Sequence, residues 1–157
     1  MAVLNQTEKI KVEGLYKTYG KKTILDHIGF SVYEGEFLSV LGSSGCGKTT
    51  LLRILIGITE QNGGRILKDG VDISSFEPAK RGMGIVFQNY ALFPNMTALQ
   101  NVEYALKLHP DFKASSRQRA LEVLSQVGME EHSGKKPDKL SGGQQQRVAI
   151  ARTLALQ

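Results

Sequence analysis

Gly42-Ser43-Ser44-Gly45-Cys46-Gly47-Lys48-Thr49 is the stretch that decides how this chain is read. Its spacing, G-x-x-x-x-G-K-T, puts glycine at both ends of a short loop, where the backbone can curl until successive amide hydrogens point inward at one anion. A polyphosphate suits that cradle. Lys48 then supplies a point charge to the terminal phosphates, the Thr49 hydroxyl a ligand for Mg2+, and Thr50 a second hydroxyl. Phe37-Leu38-Ser39-Val40-Leu41 before the loop is a short apolar run of strand type, and Leu51-Leu52-Arg53-Ile54-Leu55 after it continues as a helix. The predicted order is therefore strand, glycine loop, helix. The plain alternative is a glycine-rich turn between a strand and a helix.

Working outward, 157 residues with 41% hydrophobic content are enough for a real core. The longest apolar stretch, Leu51 to Ile58, is broken by Arg53 and Gly57. It falls short of the roughly 18 residues that cross a bilayer. The start of the chain (Asn5, Gln6, Thr7, Glu8, Lys9) is polar and shows no charged segment followed by an apolar one, so a cytoplasmic protein is expected. One cysteine gives neither a disulfide framework nor a metal cluster. Cys46 reads as a small filler within the loop, with a thiol open to alkylation. The net charge is +5, but the basic residues are scattered as Lys21-Lys22, Lys80-Arg81, Arg117/Arg119 and Lys135-Lys136. That scatter reads as solvated faces, without the basic stripe of a nucleic-acid surface.

Along the chain, Ile10 to Leu15 alternates apolar and polar residues as a half-buried strand does, and Lys17 to Lys22 supplies turn chemistry. Thr23 to Phe30 and Val32 form a second strand, which predicts an antiparallel β-layer ahead of the nucleotide core. Tyr19 is either an ordinary edge-strand aromatic or a ring that stacks on a purine base. Arg65 to Ile73 reads as a hairpin through Asp69-Gly70. Met83 to Phe87 reads as a buried strand that delivers Gln88 at its C-terminal end, the ligand-bearing edge of open α/β sheets. A boundary is placed near Gln88, with a core over 1–88 and a helical subdomain over 89–157. In the latter, Thr97 starts a helix whose Val102, Ala105, Leu106 and Leu108 share a face. Ser115 or Ser116 caps a second helix, and Ser141 opens a third carrying Val148, Ala149, Ile150, Leu154 and Leu156. Ser141 before Gly142 and Gly143 is at least an N-cap; the exposed amides and the positive end of the helix also make an anion site.

Leu140-Ser141-Gly142-Gly143-Gln144 resembles the signature motif of ABC ATPases, with Gly42 to Thr49 as their phosphate loop (Walker A), Gln88 as the Q-loop glutamine and Tyr19 as the adenine-stacking aromatic. The resemblance covers essentially the whole chain, out to Arg147 and Arg152. It implies an α/β fold, with a P-loop NTPase core, an antiparallel β-layer and an α-helical subdomain. It implies ATP and Mg2+ as cofactors, with Lys48 and Gln88 in the catalytic roles and Thr49 and Gln88 at the metal. It implies a head-to-tail dimer in which Ser141, Gly142, Gly143 and Gln144 of one subunit close over ATP held by Gly42, Ser43, Ser44, Gly45, Cys46, Gly47, Lys48, Thr49 and Thr50 of another. Phe87 to Thr97 with Asn101-Val102 is most similar to importers of iron, polyamines, sulfate or phosphonates. Integral-membrane permease subunits, and indirectly a solute-binding protein, are then the expected partners, at the cytoplasmic face of the membrane. Exposed Tyr90 and Phe93 would receive the permease. A soluble ABC ATPase acting on ribosomes or DNA is the alternative, although the paired cassettes or long coiled-coil insertions of such proteins are not visible. A P-loop kinase or GTPase leaves Leu140 to Gln144 unexplained.

No Asp-Glu pair follows an apolar run anywhere in the sequence, and His27, His109 and His132 do not occupy the place of the family's switch histidine. The expectation is a C-terminally truncated ATPase that lacks the general-base Glu and a core strand, hydrolyses ATP negligibly and binds it weakly.

Overall fold

A computed structural model describes residues 7–156; the polar lead-in at 1–6, read above as carrying no export signal, lies outside them. The chain forms two compact units, Met1–Met83 and Gly84–Gln157, each with its own core.

In the first unit, β1 (Glu8–Tyr19) and β2 (Lys22–Tyr33) form a long antiparallel hairpin in which Tyr19 pairs with Lys22. The turn is Gly20-Lys21, with Gly20 at φ 59°, so the turn chemistry of 17–22 contracts to two residues and β1 runs four residues beyond Leu15. β3 (Gly63–Lys68) adds to the other side of β1 and β4 (Val71–Asp72) to β3, giving the order β2-β1-β3-β4. The expected Asp69-Gly70 turn joins β3 to β4, with both residues in the left-handed region at φ 50° and 79°. α1 (Lys48–Leu55) packs Leu51 and Ile54 with Val12, Leu15, Leu25 and Ile66 of the sheet. Burying each large side chain of this cluster contributes about 1.5–3 kcal/mol.

Two expected strands do not form. Phe37–Leu41 and Met83–Phe87 have no ladder partner among the described residues, and Phe37 and Leu41 are 91% and 90% exposed. Their apolar character is that of parallel strands buried on both faces, and such strands persist only where neighbours take up their N–H and C=O groups. β1–β4 pair among themselves, leaving these two stretches unpaired among the described residues. Gln88 accordingly sits exposed in a turn rather than at a strand end.

Arg81, read above as part of a solvated face, is instead 4% exposed. Its guanidinium donates to the carbonyls of Ile54 (2.8 Å) and Leu55 (3.0 Å) at the end of α1, and to those of Ser74 (2.8 Å) and Phe76 (2.9 Å). Gly57, at φ 82°, is required beside it, because a Cβ there would lie 2.6 Å from Arg81 Nε.

The second unit packs α2 (Ala98–Leu108), α3 (Ser116–Gln126) and α4 (Gly142–Leu154) around Val102, Leu106, Val123, Leu124, Val148 and Ala151. Thr97 caps α2 through a reciprocal box with Gln100. Ser115 is the N-cap of α3, but its hydroxyl makes no capping bond, and Ser116 is buried. Leu108 is 70% exposed, beyond the face shared by Val102 and Leu106, and Leu154 and Leu156 are also exposed. No helix among the described residues is long and apolar enough to cross a membrane.

Candidate nucleotide site

The phosphate loop follows the unpaired 37–41 segment and ends at the first turn of α1. Gly47 is the N-cap of that helix at φ 102°, a left-handed conformation that L side chains rarely adopt. A Cβ at Gly47 would lie 3.0 Å from the Ile24 carbonyl oxygen, and one at Gly42 would lie 2.6 Å from Cys46 Sγ. Both glycines are therefore demanded by the curl of the loop and by its close approach to β2. Gly45 supplies a third positive φ, 79°.

The loop closes on Lys48. Its ammonium donates to the Gly42 and Ser43 carbonyls at 2.7 Å each, with Cys46 Sγ at 3.5 Å. Cys46 is a free, exposed thiol, as expected of an accessible filler. Ser43, Ser44 and Thr49 are exposed and Thr50 half-buried. The first-turn amides of α1 have no acidic side chain against them, so the positive end of the helix faces outward beside a lysine. That set fits the phosphates of a nucleotide. Beneath the loop, Leu25, Ile28, Phe30, Leu38 and Val40 border a mainly apolar hollow of about 360 Å³. Tyr19, in the same unit, ends β1 with its ring 53% exposed and Lys17 Nζ 5.0 Å from the ring centroid.

The signature-like stretch lies in the second unit. Ser141 caps α4: its Oγ accepts from Gln144 N at 3.3 Å, while Gln144 Oε1 accepts from Ser141 N at 2.9 Å. The N-cap reading is thus realised in full. Gly142 and Gly143 are exposed, and their amides belong to the first turn, which lacks intrahelical acceptors. Gln145 Nε2 ties the helix start to the carbonyls of Pro137 (2.9 Å) and Leu140 (3.1 Å). A hollow of about 340 Å³ opens beside the motif, with His132, Ser141, Gly143, Gln144 and Arg147 on its wall. Ser141→Ala should lower stability by about 1 kcal/mol through loss of the cap, read as a shift in urea midpoint; no shift would mean that the box contributes nothing.

Three residues have structural roles that the sequence reading did not assign. Arg81 holds the far end of α1. Asn101, fully buried, accepts from Phe93 N (2.7 Å) and donates to the carbonyls of Phe93, Met96 and Thr97. Arg152 grips the loop after Gln88. Only Asn101 left a signal, as an amide beside the apolar Ala98, Leu99, Val102 and Leu106 of α2.

A glycine loop closed on a lysine at the head of a helix, with an antiparallel β-layer before it and a helical unit after it, is the architecture of a P-loop nucleotide-binding core. The chain belongs to the ABC transporter family, whose model matches residues 25–157. It is 46% identical over 145 residues to the spermidine/putrescine import ATP-binding protein PotA of Mannheimia succiniciproducens, covering 92% of this chain and 39% of that protein. It is 49% identical over 149 residues to the sulfate/thiosulfate import ATP-binding protein CysA 2 of Chromobacterium violaceum, covering 95% and 40%. Among solved structures, the ATP-binding cassette MJ0796, in a dimeric post-hydrolysis state bound to ADP and Pi, matches with a TM-score of 0.78 and 37% identity. That match covers 93% of this chain and 69% of that one. The chain spans about two fifths of the length of the curated import proteins it matches.

Proposed function

We propose that this chain is a nucleotide-binding part of the ATP-binding subunit of a solute importer, which couples ATP binding and hydrolysis to transport. The observation that carries this reading is the closure of the Gly42–Ser43 backbone on Lys48 at the head of α1. The names of its relatives, import ATP-binding proteins for polyamines and sulfate, support the transport setting. In this reading Gly42 to Thr50 cradle the phosphates, and Lys48 turns from the two carbonyls toward the β- and γ-phosphates. Tyr19 offers its exposed ring to adenine. The Thr49 hydroxyl would be a ligand for Mg2+, a role also given to Gln88, and the ion would supply neutralisation of charge at the transferred phosphoryl group. Gln88 also orients the attacking water.

Ser141, Gly142, Gly143 and Gln144 serve the nucleotide of a second subunit in a head-to-tail dimer, offering amides at a helix start already rigidified by its capping box. Residues 1–88 and 89–157 act as nucleotide core and helical subdomain. The working location is peripheral, at the cytoplasmic face of the membrane, against integral-membrane permease subunits that a solute-binding protein supplies. Nucleic acid is not a partner, since the basic residues form no stripe.

Polarising the attacking water calls for a carboxylate at the end of a core strand, and the sequence contains no Asp-Glu pair after an apolar run. ATP turnover by the purified chain should therefore stay at background, and rise only when a polypeptide supplying that strand is added. Robust turnover by the chain alone would contradict the assignment of roles.

A further inference from the structure

The segment that carries Gln88 is held by one helix of its own unit. Tyr90 and Ala91, neither of them glycine, occupy the left-handed region at φ 60° and 46°. Each such residue is strained and persists only where its surroundings over-determine it. The determinant is Arg152 on α4: Nη1 donates to the Ala91 carbonyl at 2.7 Å and Nη2 to the Tyr90 carbonyl at 3.1 Å. Both carbonyls face one planar fork, and a pair of parallel donors at fixed spacing is what guanidinium provides and ammonium does not. Short bonds within the turn complete the curl, from Tyr90 N to Phe87 O (2.9 Å) and from Ala91 N to Asn89 O (2.7 Å).

The next residue of α4 meets the segment at its other end. A Cβ on Gly84 would overlap Thr153 Cγ2, so the backbone at Gly84 lies directly on that side chain. Thr153 and Arg152 thus bracket residues 84–91 from two consecutive positions. Downstream, Asn101 fastens Phe93, Met96 and Thr97. Gln88 lies between these fixed points, exposed, on a backbone whose path is set on both sides. The same α4 begins at the Ser141 box, about 15 Å away along the helix.

We propose that Arg152 is a positioning residue for Gln88: its two-point bond to the Tyr90 and Ala91 carbonyls imposes the left-handed turn that sets the course of the chain past Gln88. The functional weight of this rests on the role given to Gln88 above. The clamp itself is tested without any nucleotide, so its failure is distinguishable from failure of the ATP reading.

The experiment is amide hydrogen exchange on the 157-residue chain and on Arg152→Met. Exchange at 88–93 should quicken by about tenfold or more, while Leu99–Leu106 and Ala120–Leu124 stay within about twofold, because local opening is what the lost bonds release. Adding Ala91→Gly to Arg152→Met should slow exchange at 88–93 by about fivefold after correction for intrinsic rates, since glycine adopts the left-handed turn without the clamp. A side chain that merely packed α4 would show no such rescue. Unchanged exchange at 88–93, a uniform rise across the helices, or a local rise that Ala91→Gly leaves in place would each overturn the proposal. Should Arg152→Met not fold, Arg152→Lys decides. The same local pattern is expected at about threefold, since a single ammonium answers one of the two carbonyls, and its absence overturns the proposal.

Discussion

Arg81→Met should lower the unfolding free energy by about 3–5 kcal/mol, the largest stability loss expected of a single substitution outside the helical core. The side chain is 4% exposed and answers four carbonyls with one guanidinium. Two of them, on Ile54 and Leu55, belong to the last turn of α1, where no intrahelical donor exists and where a cation complements the negative end of the helix. Methionine fills much of the volume but donates nothing, leaving acceptors that cost roughly 1–3 kcal/mol each when buried. The full sum is not reached, because a hollow of about 390 Å³ bordered by Gly57, Gln61, Ser74 and Phe76 lets water approach. Arg81→Lys should cost less, about 1–2 kcal/mol, since an ammonium reaches some of the four acceptors but not all. Urea denaturation measures both. A loss below about 1 kcal/mol for the methionine variant would mean that water replaces the guanidinium almost completely. Because α1 starts at the phosphate loop, its slackening at the far end should also weaken whatever the loop holds.

The sequence was most legible where backbone conformation is dictated locally. Gly20, Asp69-Gly70 and the Gly42 to Gly47 series announce turns because only certain residues tolerate positive φ, and the structure places positive φ at each. Thr97-Gln100 and Ser141-Gln144 announce helix starts because the box is encoded in a four-residue spacing. Phe37 to Leu41 and Met83 to Phe87 misled for a physical reason. An apolar pattern records what a strand needs on either side, not whether a neighbour is there to pair with it. Arg81 was illegible because a lone arginine beside Lys80 looks like any solvated face; its burial follows from carbonyls 5 to 27 positions away in the chain. Arg152 answers carbonyls 61 and 62 positions away, which no local pattern reports.

The second large effect concerns binding. Lys48 is the charge around which the loop is already closed, and its removal takes away both the two 2.7 Å bonds and the cation proposed to meet the terminal phosphates. Glycine amides and the helix end remain in Lys48→Ala, but without the point charge the triphosphate meets only partial charges. Wild-type affinity is itself expected to be modest, on the order of 100 μM, since the lysine must leave two good acceptors and, in the proposed head-to-tail dimer, the opposing Ser141 box comes from another subunit. The most direct measurement is therefore a calorimetric titration of Mg-ATP into the chain and into Lys48→Ala. Saturable binding near that affinity is expected for the first, and a loss of at least about tenfold for the second. Equal binding by both proteins, or nanomolar binding by the wild type, would contradict it.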